Sequence, residues 1–161
     1  MNQRDYFLRR AEEASRPLFF ETVHPREDVS GRLFDEGDSV TLDFGDHYVG
    51  HVQLELDYEG DHPDAPVWLQ LRFGERELEL HRSLEDYHGG LSRSWIQNAH
   101  IYVDVLPAVV KLPRRYAFRY LKLDIMGMSH RFRLKIKSVS CTAQTAADES
   151  KLKPYTEGTL I

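Results

Sequence analysis

Apolar and polar residues alternate with a period of two in one segment after another of this sequence, the pattern of strands buried on one face. In Ser39-Val40-Thr41-Leu42-Asp43-Phe44 the even positions are apolar, and Gly45-Asp46 closes the run. Across 49–58, Val52, Leu54, Leu56 and Tyr58 share a face opposite His51, Gln53, Glu55 and Asp57. Val67, Leu69, Leu71 and Phe73 then alternate with Trp68, Gln70 and Arg72. Further strands are expected over 92–98, 101–105 and 116–125, and from Phe132 onward. The acidic turn 59–66 and the charged stretch 75–90 read as loops, because glycine tolerates positive φ and proline cannot donate to a ladder. Helical signal is confined to 3–14, with one further turn near 84–87. Seven or eight short strands without helical crossovers predict an all-β fold, an antiparallel β-sandwich with a short N-terminal helix. The expected organisation is a helical arm over 1–17, the sandwich over 18–142 and a tail or linker over 143–161.

The chain has 161 residues, of which 41% are hydrophobic, enough for one sizeable core. No apolar run approaches the roughly 18 residues a membrane span needs, and the first ten residues carry no apolar stretch of the secretory type. A soluble, cytoplasmic protein without a membrane partner is the expectation. The single cysteine, Cys141, excludes an internal disulfide and a thiolate metal site, and reads as a small buried hydrophobe. Charge is uneven along the chain: residues 1–110 hold 10 Lys and Arg against 22 Asp and Glu, whereas residues 111–161 hold 11 against 4. Basic late strands beside acidic early ones would pair across a sheet. A pI near 5.9 excludes a nucleic-acid footprint.

Chemical motifs are sparse. Gly37-Asp38-Ser39-Val40-Thr41 and Gly127-Met128-Ser129-His130-Arg131 lack the closing glycine of a nucleophile elbow. His47 and His51 lie four residues apart, roughly 13 Å on an extended strand, too far to share one ion. No cofactor is called for. Asp57, Asp61 and Asp64 offer oxygen ligands that make calcium the one candidate metal, although the loop lacks EF-hand spacing. Glu75, Glu77 and Glu79 would share a strand face, an acid pairing of little specificity among 26 carboxylates. The alternating Arg131, Arg133, Lys135 and Lys137 read as an edge-strand guard or as a polyanion contact.

Trp68 is the more informative residue, because alternation puts it on the non-core face with Gln70 and Arg72. An indole there asks for a cover. If 49–58 is the neighbouring strand, His51, Gln53 and Glu55 join it, giving an aromatic platform ringed by hydrogen-bonding groups. That combination suits a carbohydrate, and it suits a domain interface equally well. A second sheet layer burying the indole is the plain alternative. Trp95 has the parity of Ile101, Val103 and Val105 and is expected in the core.

The segments Val40-Thr41-Leu42-Asp43-Phe44-Gly45-Asp46 with Val49-Gly50-His51-Val52, Leu69-Gln70-Leu71-Arg72-Phe73-Gly74-Glu75, Ser92-Arg93-Ser94-Trp95-Ile96-Gln97 and Leu112-Pro113-Arg114-Arg115-Tyr116-Ala117-Phe118-Arg119-Tyr120-Leu121 occur in an order that resembles the β-sandwich region of bacterial α-L-rhamnosidases. The likeness covers 18 to about 142. It implies a jelly-roll or concanavalin-like accessory sandwich of a glycoside hydrolase, preceding a toroid of paired helices that holds the catalytic carboxylates. No catalytic residue carries over to this sequence. The implied role is non-catalytic, with carbohydrate, including rhamnose-containing glycans, and the parent protein's helical catalytic domain as partners. The alternative is a purely structural domain that packs on that helical neighbour.

Overall fold

The computed structural model describes residues 2–14, 18–83 and 85–151. They divide between one unit, Thr22–Ala143, and a second formed by Met1–Glu21 with Gln144–Ile161. The second unit contains helix α1, Gln3–Ala14, as the sequence pattern predicts. Asn2 caps it, its Oδ1 accepting the Asp5 N–H at 2.9 Å. Strand β1, Phe19–Val23, spans the division between the units.

The remaining strands are β2 (Arg32–Phe34), β3 (Ser39–Gly60), β4 (Val67–Gly74), β5 (Asn98–Val103), β6 (Ala108–Lys111), β7 (Tyr116–Gly127) and β8 (Phe132–Thr145). Among them every pairing is antiparallel. β3 serves both layers of the sandwich. Its first half pairs with β7, from Ser39↔Asp124 to Gly50↔Tyr116, and its second half pairs with β8, from Gly50↔Ala143 to Gly60↔Phe132. β6 lines the other side of that second half, and β7 continues the first layer to β4 and then β5.

The two strands expected over 39–44 and 49–58 are therefore one. A register shift between Asp43 and Tyr48 stands where a turn was expected. Gly45 there has φ +87, a backbone that L side chains rarely adopt, and its N–H donates to Asp43 Oδ1 at 2.7 Å. The strand bends at this irregularity and continues.

Inward rows from both layers make one apolar cluster in which Leu42, Leu54, Leu56, Leu69, Leu71, Leu121, Leu123, Leu134 and Ile136 are fully buried. Phe118 sits edge-on to Phe44 and Phe73, each at 5.0 Å between ring centres, and Phe73 stacks on Tyr116 at 3.8 Å. Cys141 lies in this core on β8, as expected, and burial pushes its thiol up to about 11.

Three sequence expectations change. Residues 92–97 do not extend a strand: a 3-10 turn covers Arg93–Trp95, with Ser92 Oγ accepting the Ser94 N–H at 3.3 Å. Parity counted back from β5 thus fails for Trp95, whose side chain is 69% exposed instead of core. The basic row on β8 is no edge guard, since β8 has β3 on one side and β2 on the other. The stretch 75–90 contains a 3-10 helix, Glu77–His81, that buries Leu80. Of the turn expected near 84–87, residues 85 and 86 form a turn and residue 84 lies outside the described residues. So do residues 152–161 of the expected tail.

The charge asymmetry resolves into cross-strand pairs. Arg119 on β7 meets Asp43 on β3 at 2.9 Å, Lys137 on β8 meets Glu55 on β3 at 3.4 Å, and Arg133 on β8 meets Asp35 at 3.0 Å. Asp57 and Glu59 on β3 stand opposite Lys135 and Arg133.

Candidate functional site

Outward-facing side chains of β4 meet those of β5 in three directly opposed pairs: Trp68 with Tyr102, Gln70 with His100, and Arg72 with Asn98. Strand parity fixes this arrangement, because Leu69 and Leu71 bury inward along with Val67 and Val103. The Trp68 and Tyr102 rings lie nearly parallel, 5.7 Å between centres and 16° between planes. Tyr102 is 64% exposed and Trp68 half-buried, so the pair forms an open aromatic floor. On its far side β4 pairs with β7, where Gly127 lies opposite Trp68 and leaves the indole without a covering side chain from that position.

Trp68 Nε1–H donates to His100 Nδ1 at 3.2 Å, and the Gln70 amide lies 3.4 Å from His100 Nε2. An indole can only donate, so His100 must accept at Nδ1, and a neutral ring then carries its proton on Nε2. The bond also fixes the plane of the indole. Arg72 is held more firmly: Nη2 donates to Asp124 Oδ2 at 3.1 Å and Nη1 to the Leu80 carbonyl at 3.0 Å. Lys122 Nζ lies 3.4 Å from Asp124 Oδ1, which balances the carboxylate from the other side. Arg72 Nε is buried with no hydrogen-bond partner among the described residues.

Of the six residues picked out in sequence, Trp68, Gln70 and Arg72 share this surface. His51, Gln53 and Glu55 do not join them, since the neighbours of β4 are β5 and β7 and not β3. Those three project from the second half of β3 opposite Thr142, Ser140 and Ser138 of β8. Glu55 there accepts from Ser138 Oγ at 3.2 Å and pairs with Lys137. His100 and Tyr102 take their place beside Trp68. Their parity, opposite to Ile101 and Val103, was visible in sequence, but nothing in sequence names the neighbour of β4.

The acidic turn offers no convergent ligand set. Among the described residues no three His, Cys, Asp or Glu side chains come together as a metal cluster, and Asp64 lies 3.9 Å from Arg131. Glu75, Glu77 and Glu79 do not share a strand face, because β4 ends at Gly74 and Glu77 opens a 3-10 helix. Glu79 instead accepts the backbone N–H of Glu75 at 2.9 Å. Aromatic faces, one amide and an imidazole stand together on the outer face of β4 and β5.

Residues 9–143 match the family model of the glycosyl hydrolase family 78 α-rhamnosidase N-terminal domain. Among solved structures, the chain is similar to a rhamnosidase from Klebsiella oxytoca with rhamnose bound, at 36% identity and a TM-score of 0.79 over 88% of this chain. It spans 32% of that protein's length. A family 78 rhamnosidase of Bacillus sp. GL1 shares the fold, with 16% identity, a TM-score of 0.52, and coverage of 73% of this chain and 11% of that one. No curated protein matches.

Proposed function

Because this chain belongs to the family of N-terminal domains of glycosyl hydrolase family 78 α-rhamnosidases, we propose that it is a non-catalytic accessory domain that binds carbohydrate on the outer face of β4 and β5. The observation that carries the reading is the nearly parallel Trp68–Tyr102 pair, an aromatic floor bordered by Gln70 and His100. A pyranose presents C–H groups on one face and hydroxyls at its edge. The rings would take the first and the amide and imidazole the second. Because Trp68 is already hydrogen-bonded to His100, little side-chain freedom would be lost on binding. The rhamnose in the Klebsiella structure makes L-rhamnose the first ligand to try.

Calorimetric and tryptophan-fluorescence titration of the 161-residue chain with L-rhamnose and a rhamnose-containing oligosaccharide tests this. We expect binding heat and quenching, with at least tenfold weaker binding in Trp68→Ala. Absence of both signals, with Trp68→Ala identical to wild type, overturns the reading.

The chain's 32% span of the Klebsiella protein favours a second reading, in which the same face packs on a helical catalytic domain of a parent enzyme. That reading expects no sugar binding and self-association of the chain through the uncovered rings.

A further inference from the structure

We propose that the Trp68–Tyr102 floor is one end of an extended track and that a hollow beneath Trp95 is the other, so that the domain takes a linear oligosaccharide in preference to a single sugar. This rests on the carbohydrate reading of the floor. Beyond the floor, the Gln70–His100 and Arg72–Asn98 pairs line a hollow of about 330 Å³ that is closed on its other side by His81, Arg82, Ser83 and Glu85. Arg82, Ser83 and Asn98 also line a second hollow, of about 560 Å³, with Trp95, Tyr87 and Asp86. The two hollows adjoin at Arg82, Ser83 and Asn98, which line both. Along β5 alone, Asn98 to Tyr102 is four residues, roughly 13 Å of extended chain, more than one pyranose covers.

Aromatic side chains stand at both ends, Trp68 stacked with Tyr102 at one and Trp95 and Tyr87 lining one hollow at the other, and between them lie amides, carboxylates and Arg82. Trp95 is exposed, on an anchored backbone. Its backbone N–H donates to the Ser92 carbonyl at 3.0 Å, and Arg114 donates to the Trp95 and Ile96 carbonyls at 3.3 and 3.1 Å. Gln97 is tied both ways to the Ala117 backbone on β7, at 2.6 and 2.8 Å. An anchored backbone keeps the exposed Trp95 at this place in the fold, where its ring can cover an apolar ligand face.

Titration of the 161-residue chain with L-rhamnose and with a linear rhamnose-containing tetrasaccharide tests the track. The tetrasaccharide should bind about tenfold tighter, and Trp95→Ala should remove that gain, with an unchanged denaturation midpoint showing that the variant folds. Trp95→Phe should restore most of it. Equal affinity for both sugars, or a tetrasaccharide affinity untouched by Trp95→Ala, overturns the track and leaves the floor standing. Silence toward both sugars overturns the floor and the track together. Concentration-dependent self-association abolished by Trp95→Ala would make the hollow a protein contact and overturn the track as well.

Discussion

Asp43 joins three parts of the domain through one carboxylate. Arg119 Nε and Nη2 donate to its two oxygens at 2.9 and 3.0 Å, Arg26 adds a longer contact at 3.4 Å, and the Gly45 N–H completes the set at 2.7 Å. The bidentate Arg119 fork is the main reason its pKa falls from the ordinary 3.8 to about 2, against a smaller opposing effect of burial. A carboxyl whose folded pKa is depressed stabilises the fold above its unfolded pKa, and that contribution is lost as pH falls from 3.8 towards 2. With the carboxylate partly open to solvent, the amount is on the order of 1–2 kcal/mol. Thermal unfolding across that window should show the wild type losing stability that Asp43→Asn, less stable at neutral pH, no longer has to lose. Parallel slopes for the two proteins would count against the account. In sequence Asp43 showed only as a polar position before a turn. Its partners lie on β7 and in the segment before β2, too far along the chain for spacing to suggest them.

Among the elements, β3 carries the architecture, and Gly50 is its narrowest point. There β3 leaves β7 and takes up β8, with Tyr116 on one side and Ala143 on the other. A Cβ at Gly50 would collide with the Thr142 carbonyl, which is backbone and cannot swing away. Gly50→Ala should therefore destabilise the domain by at least the roughly 1–3 kcal/mol of an overpacked core, read as a lower denaturation midpoint. An unchanged midpoint would mean that the strand can shift there at no cost. The inward rows of β4, β7 and β8 were legible in sequence because period-two patterning is local to each strand. The fusion of two runs into β3 was not, since Gly45-Asp46 has the composition of a turn and only pairing to β7 decides that the chain continues. Trp95 was misplaced for a related reason: parity holds only while a chain stays extended, and the Ser92 cap winds the backbone into a 3-10 turn before β5 begins.

At the level of the whole molecule, the chain is a β-sandwich of the family 78 α-rhamnosidase N-terminal domains, and on the proposed binding role the 161 residues should release no sugar from an aryl α-L-rhamnoside under conditions where they bind the oligosaccharide. Measurable turnover that survives purification would contradict this. The acidic early strands and basic late strands meet in pairs such as Arg119–Asp43, Lys137–Glu55 and Arg133–Asp35. The sequence alone determined which side chains of β3, β4, β7 and β8 face inward and that Trp68 faces out, because alternation acts between adjacent residues while a chain stays extended. It also carried the ordered segments by which the family is recognised. Only the tertiary structure decided what stands beside Trp68. His51, Gln53 and Glu55 had the right chemistry and the right parity, but strand adjacency is set by pairing between distant segments, and β4 pairs with β5 and β7. That choice puts Tyr102 and His100 at the indole and sends the other three to the opposite layer.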